Sequence, residues 1–255
     1  AALLRTIGLS DGSGNIRASM RGKYDQVNEF LKVVNDTLAE ATPADKAKTF
    51  TVIDCGCGKA YLTISLYPYL TEVLGFNDVR IVGVDRRADV IKAAKEMAKR
   101  LDLADKVMFV ESDLEKFNPA DILAPGATER PEIDLVVSLH ACDTATDEAL
   151  AKGVEWKTRY ILSAPCCQHE LNRQMDSDIL KPLMKHGLIK ERMAALVTDA
   201  LRAEYLEREG YHVQILEFID MEHTPKNILI RGVYTGKKAN RKTVDSCNRL
   251  MNSQG

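Results

Sequence analysis

From Arg21 onward, apolar residues recur at helical spacing, with Val27, Phe30, Leu31, Val34 and Leu38 on one face, until Ala41-Thr42-Pro43 ends the run. The pattern then changes to short apolar runs alternating with amphipathic segments. Residues 49–54, 79–85, 107–113, 133–140 and 159–165 read as buried strands, each a near-continuous apolar run of strand length. Helical periods lie between them. Residues 60–74 carry Leu62, Leu66 and Leu70 on one side, with a kink predicted at Pro68. Residues 88–101 place Val90, Ile91, Ala94, Met97, Ala98 and Leu101 on one stripe. A helix over 144–150 opens on Thr144-Ala145-Thr146-Asp147, which has the spacing of a helix start, and Asp143 is a competing cap. The last period, 188–209, has an expected apolar stripe of Met193, Leu196, Val197, Ala200, Leu201 and Tyr205, stopped by Gly210.

Two more strands follow, over 213–219 and 227–235. The connection 221–226, which contains Pro225, is too short for a helical crossover, so these strands should pair antiparallel. The predicted fold is α/β, a Rossmann-like doubly wound sheet of seven strands, mostly parallel with an antiparallel final hairpin. The Gly-, Ser- and Asn-rich residues 1–20 read as a flexible leader, residues 21–236 as one domain including the N-terminal helix, and residues 237–255 as a basic tail.

Composition narrows the class only modestly. The 255 residues, 45% hydrophobic and 28% charged, suffice for one large α/β domain or two small ones. A net charge of −2 and a pI near 6.3 give no global basic field, leaving a local basic patch as the only electrostatic route to nucleic acid. No apolar run approaches a membrane span, and Ala1-Ala2-Leu3-Leu4 is too short for a signal-peptide core. The six cysteines form no regular disulfide framework and read as reduced thiols, which implies a cytoplasmic protein.

In doubly wound sheets, ligands bind beyond the carboxyl ends of the strands, where the winding reverses. The first strand delivers Asp54-Cys55-Gly56-Cys57-Gly58 to that edge, and two residues without Cβ let the backbone turn tightly against a ligand. Two glycines alone also fit an ordinary strand-to-helix turn. The strand ends around them add weight. Asp85 closes the second strand, where a carboxylate can accept from ribose hydroxyls, and Asp113 closes the third, near the expected place of an adenine ring. Each also has a plain reading, Asp85 as a surface carboxylate and Asp113 as a helix cap. Dinucleotide binding requires a third glycine three residues on, where this chain has Tyr61. S-adenosylmethionine has no pyrophosphate to cradle, so the shorter turn suffices for it.

The fourth and fifth strands lead into Leu139-His140-Ala141-Cys142-Asp143 and Ala164-Pro165-Cys166-Cys167-Gln168-His169. Three readings of this rim stay open. The cysteines pack as small apolar residues; or His140, Cys142, Cys166, Cys167 and His169 hold zinc, against which stands the lack of any Cys-x-x-Cys spacing; or Cys142 and Cys166 act as thiol nucleophiles on a pyrimidine, after the manner of RNA cytosine-5 methyltransferases. The metal reading is the weakest of the three, and no metal is expected. His140 is a candidate general base, or a structural histidine.

The segments DCGCGKAYL (54–62), LHACDTATDEAL (139–150), APCCQ (164–168) and HTPKNILIR (223–231) together resemble a family of mostly bacterial methyltransferase-domain proteins. It has distant eukaryotic methyltransferase-like relatives and distant relatives among glutathione S-transferase C-terminal-domain-containing proteins. Lys23-Tyr24-Asp25-Gln26 with Phe30 is similar to the helix that precedes the first strand in that group. The resemblance implies a class I fold with S-adenosylmethionine as donor. By it, Asp54, Gly56 and Gly58 line the cofactor, Asp85 holds its ribose, and Asp113 lies near adenine. Leu139 and His140 take the place where many adenine and amine methyltransferases carry Asn-Pro-Pro-Tyr, a tetrad missing here.

The acceptor is the least determined part. Arg17, Arg21 and Lys23 flank the first helix and Lys237-Lys238 with Arg241-Lys242 follows the last strand, a pattern fit for phosphate contacts or for a solvated terminus. The expected function is methyl transfer to RNA or another nucleic-acid component. The alternatives are a small-molecule or protein acceptor, or a non-catalytic donor-binding module.

Overall fold

The apolar runs pack where their pattern places them: Val52, Ile53, Ile81, Val82, Leu135, Val137, Ile161 and Leu162 are all fully buried. Strands covered on both faces have no polar side to show, which is why they read as continuous runs rather than alternations. The computed structural model describes residues 2–126, 130–141, 144–166, 169–178, 180–219 and 227–237. Its seven strands are β1 (Thr49–Cys55), β2 (Asp78–Asp85), β3 (Val107–Glu111), β4 (Leu135–Leu139), β5 (Tyr160–Ala164), β6 (Tyr211–Glu217) and β7 (Ile228–Tyr234). They form one sheet in the order β3-β2-β1-β4-β5-β7-β6. The first five are mutually parallel, and β7 runs antiparallel to both β5 and β6. The winding reverses between β1 and β4, so the carboxyl ends of those two strands open the crevice where a ligand can sit.

Ten helices flank the sheet among the described residues: α1 (Ala2–Thr6), α2 (Arg21–Thr37), α3 (Pro43–Ala47), α4 (Tyr61–Pro68), α5 (Ala88–Arg100), α6 (Ala120–Leu123), α7 (Thr144–Glu155), α8 (His169–Gln174), α9 (Lys181–Met184) and α10 (Gly187–Arg208). One face of the sheet packs on Phe30, Val34, Leu62, Leu66 and Ile91 from α2, α4 and α5. The other packs on Ala149, Leu150 and Leu206 from α7 and α10.

Three local expectations change. Residues 2–17 are not loose: α1 forms, Ser10 bridges antiparallel to Ile16, and Ile7 and Leu9 are buried in the same cluster as α2. Burying two large aliphatic side chains, worth about 1.5–3 kcal/mol each, offsets the ordering of a glycine-rich segment. At Pro68, which has no N–H to give the carbonyl four residues back, α4 ends and the chain continues through a π-helical turn at Tyr69–Val73. In α10, finally, Ala194, Asp199, Arg202, Ala203 and Leu206 are buried, while Leu196 and Tyr205 from the expected stripe are exposed. Ion pairing accounts for this. Arg202 donates from Nε and Nη2 to both oxygens of Asp147 on α7, at 2.7 and 3.0 Å, and from Nη1 to Asp199 at 2.9 Å. A bidentate pair and a second carboxylate let the helix turn a charged face inward.

Candidate functional site

The crevice is assembled from backbone up. After β1, the N–H groups of Gly56 and Cys57 both donate to the Val84 carbonyl, at 2.8 and 3.0 Å, which folds the turn against the end of β2. Gly56 adopts φ +76°, and a Cβ there would stand 3.1 Å from the Cβ of Ala141, so the loop after β4 packs directly on the turn. The site therefore requires glycine at 56 both for conformation and for space. Gly58 follows at φ +51° and donates its N–H to Asp85 Oδ2 at 2.9 Å. The other Asp85 oxygen accepts from the backbone N–H and Nε of Arg87, at 3.0 and 3.2 Å. The carboxylate at the end of β2 thus ties the glycine turn to the start of α5.

Asp54, at the end of β1, is buried, and Thr63 of α4 donates to its Oδ2 at 2.5 Å. Burial pushes its carboxyl up to about 7; the Thr63 bond works against the rise, the Asp85 charge adds to it, and Lys23 opposes it. Lys23 comes from the first turns of α2, donates to Gln26 Oε1 at 3.2 Å, and is held below the usual lysine range by burial, with Asp54 and Cys166 acting the other way.

These groups surround one cavity of about 740 Å³, lined by Asp54, Gly56, Gly58, Asp85, Asp113 and Leu139, and also by Lys23, Val27 and His140. All six residues expected to bind the cofactor are among its walls, and the volume suits a small-molecule ligand. Asp113 lies two residues beyond the end of β3 rather than closing it, and its exposed carboxylate meets Lys116 at 3.5 Å. His140 likewise falls just outside β4, takes φ +63°, and donates its backbone N–H to Ala164 at 3.0 Å, joining the ends of β4 and β5. Cys166 is buried and directs its thiol at the Ala141 carbonyl, 3.9 Å away, outside the residues that line the cavity. Cys142, Cys167 and the side chain of His169 lie outside the described residues, as do residues 223–226 and the basic tail from 238 on. Among the described residues no three His, Cys, Asp or Glu side chains gather as a metal site. No described helix is long and apolar enough to cross a membrane.

Two residues that act on Asp54 escape the linear pattern. Thr63 stands nine residues after Asp54 in what reads only as a helix, and Lys23 reads as part of an outward basic patch with Arg17 and Arg21. The close approach of Ala141 to Gly56 joins segments more than eighty residues apart and has no local signal.

A family model described as a methyltransferase domain matches residues 22–174, more than half of the chain. No curated protein sequence matches it. Among solved structures, an rRNA methylase from Streptococcus thermophilus is 12% identical with a TM-score of 0.46, covering 79% of this chain and 94% of its own. TrmK of M. capricolum in complex with S-adenosylhomocysteine is 12% identical with a TM-score of 0.43, covering 82% and 70% respectively. The N-terminal domain of human METTL16, also with S-adenosylhomocysteine, is 13% identical with a TM-score of 0.49, again covering 82% and 70%. These are remote likenesses of fold. With a glycine turn, a capping carboxylate and a cavity at the reversal of a seven-stranded sheet, and with a family match running from α2 to α8, the chain belongs to the methyltransferase-domain family and uses S-adenosylmethionine as its methyl donor.

Proposed function

We propose that the chain transfers a methyl group from S-adenosylmethionine to RNA or another nucleic-acid component, with the donor held by Asp54, Gly56, Gly58, Asp85, Asp113 and Leu139. The observation that carries the donor site is the convergence of these six residues on one cavity at the switch point of the sheet. The walls fit this donor. A glycine turn offers close backbone approach, and the carboxylates of Asp54, Asp85 and Asp113 suit a ligand with a sulfonium, an ammonium and a ribose diol. Asp85 would take the ribose hydroxyls, alongside the N–H of Gly58 or in place of the Arg87 side chain that now occupies one of its oxygens.

When bound, the donor supplies a methyl group already activated on sulfur. The protein's part is to align that group with the acceptor and to exclude water, and alignment alone contributes large rate factors. His140 lines the cavity just beyond the end of β4, and in this reading it would take a proton from the acceptor as general base. Cys142 and Cys166 would serve the covalent route to a pyrimidine. The burial of Cys166, with its thiol toward the Ala141 carbonyl, favours a packing role, and full activity in a Cys166→Ala variant would assign it there.

Exposed Lys59 and Arg86 on the cavity wall, with exposed Arg21 nearby in sequence to Lys23, support a polyanionic acceptor. Glu115 and Glu148 on the same wall favour a second reading, a small-molecule or protein acceptor. Salt separates the two. RNA binding through a handful of phosphates should weaken steeply with ionic strength, with a log–log slope of about −0.7 per contact on single strands. Affinity indifferent to salt, or no transfer of labelled methyl to an RNA pool, refutes the RNA reading. Failure of S-adenosylmethionine to raise the melting temperature would remove the donor assignment itself.

A further inference from the structure

The donor cavity has a neighbour. A second cavity, of about 710 Å³, is bounded by the chain after β3, the chain leading into β4 and the end of α7. Glu115 lines both cavities, and none of the six donor residues lines the second. Its size is that of a small-molecule site. Trp156, the single tryptophan of the sequence, stands half-buried in its wall, with its ring edge-to-face with Phe117 at a centroid distance of 6.0 Å. Packing on the hydrophobic cluster beneath holds the indole in place. Cations share the wall. Lys152 is paired with Glu155 at 3.0 Å and Lys116 with Asp113 at 3.5 Å, whereas Arg130 and Lys157 have no ion pair among the described residues. Lys157 also takes φ +54° just past α7, and its N–H closes the helix on the Val154 carbonyl at 3.0 Å. Glycine is the ordinary residue in that left-handed position, and a lysine there is strained. The strained residue is the one that brings a cation to the cavity beside Trp156.

An aromatic ring beside unpaired cations is the chemistry that receives a nucleobase together with its phosphate. We propose that this second cavity binds a nucleoside monophosphate, with the base against Trp156 and the phosphate on Lys157 and Arg130. Glu115 and Glu132 repel the phosphate from their part of the wall and suit ribose hydroxyls or the N–H edges of a base. A methylated ammonium, which also favours aromatic walls, would meet Lys157 and Arg130 as like charges. The same ligand chemistry has two sources: a free nucleotide, or one residue of an RNA strand that continues past Glu115 toward the donor cavity. Binding here stands or falls separately from the acceptor proposed above.

Because Trp156 is the single tryptophan, its fluorescence reports on this cavity directly. The full chain, with excess S-adenosylhomocysteine to fill the donor cavity, is titrated with guanosine monophosphate, with guanosine and with a short single-stranded RNA. The monophosphate should quench the emission saturably, and guanosine, which lacks the charge-assisted bonds, should bind about tenfold more weakly. Lys157→Gly is the decisive variant. Glycine suits φ +54°, so the melting temperature should hold, while affinity for the monophosphate falls about fivefold or more and affinity for guanosine stays the same. Arg130→Gln should act in the same direction. RNA bound about tenfold more tightly than the monophosphate assigns the site to a strand, and RNA bound equally or more weakly assigns it to a free nucleotide. The proposal fails if the monophosphate does not quench Trp156, if guanosine binds as tightly, or if Lys157→Gly leaves the monophosphate affinity unchanged. It also fails if quenching appears only without S-adenosylhomocysteine, since the nucleotide would then occupy the donor cavity.

Discussion

Asp54→Asn is the most informative single change, because one carboxylate sets stability against function. In the folded, ligand-free chain the Asp54 carboxyl is pushed from 3.8 up to about 7 by burial, with Thr63 donating to one oxygen. The folded state therefore holds a proton that the unfolded state has already released. The stability tied to that proton is fully present below about pH 4 and is lost as pH rises toward and through 7. The complete loss corresponds to about 4 kcal/mol, and the portion falling between pH 5 and pH 8 to about 2–3 kcal/mol. Asparagine keeps an acceptor for Thr63 and has no proton to lose. The amide brings two new buried donors, so the variant starts with a penalty of about 1–3 kcal/mol that does not change with pH. The prediction accordingly concerns the difference between the two curves. Urea unfolding of both proteins at pH 5, 6, 7 and 8 should show the variant gaining about 2–3 kcal/mol on the native chain across the series, while binding S-adenosylhomocysteine more weakly at every pH. Parallel stability curves would refute the reasoning, since they would mean that Asp54 does not titrate in this range or is not buried as described.

Further predictions concern neighbouring parts. Affinity of the native chain for the cationic donor should fall as pH drops below about 7, approaching tenfold per pH unit, because Asp54 must ionise to receive a positive group; calorimetry in buffers of different ionisation enthalpy should register proton release. Gly56→Ala forces an alanine to φ +76° and its methyl to 3.1 Å from Ala141, costing about 1–3 kcal/mol of stability by denaturant titration and weakening donor binding. Arg202→Ala removes the guanidinium that the buried Asp199 carboxylate and Asp147 share, and should destabilise the fold by about 3–5 kcal/mol, a loss that Asp199→Asn in the same chain would partly relieve. Leu9→Ala should cost about 2–5 kcal/mol if residues 2–17 are part of the folded body, whereas a loose segment would leave unfolding unchanged.

How much could be read along the chain depended on the range of the cause. Strand identity, the parallel order of β1 to β5 and the antiparallel ending follow from local properties: apolar runs of strand length, helical periods between them, and a connection too short for a crossover. The glycine turn and the carboxylates at the strand ends were legible for the same reason, since a parallel sheet delivers the end of every strand to one edge. Boundaries were less secure. Asp113 falls two residues past the end of β3, and His140 leaves β4 by turning to φ +63° although its N–H still reaches Ala164, a local conformation that an apolar run does not encode. The expected stripe of α10 was overturned by Asp147, which no pattern within α10 contains. Residues 2–17 looked loose by composition and are held by contacts with α2 and the cluster beneath it.

The sharpest division lies at Lys23 and Asp54. Periodicity places Lys23 on a helix and Asp54 at a strand end, and from that alone the lysine reads as one of several surface cations. Only the packing of α2 over the crevice sets the two on one wall and withdraws both from water. Solvent exclusion depends on every neighbouring segment at once. Residue type and position in the chain were therefore enough to gather the candidate residues at one edge of the sheet, whereas their burial and the shifts in charge that follow from it came from the tertiary fold.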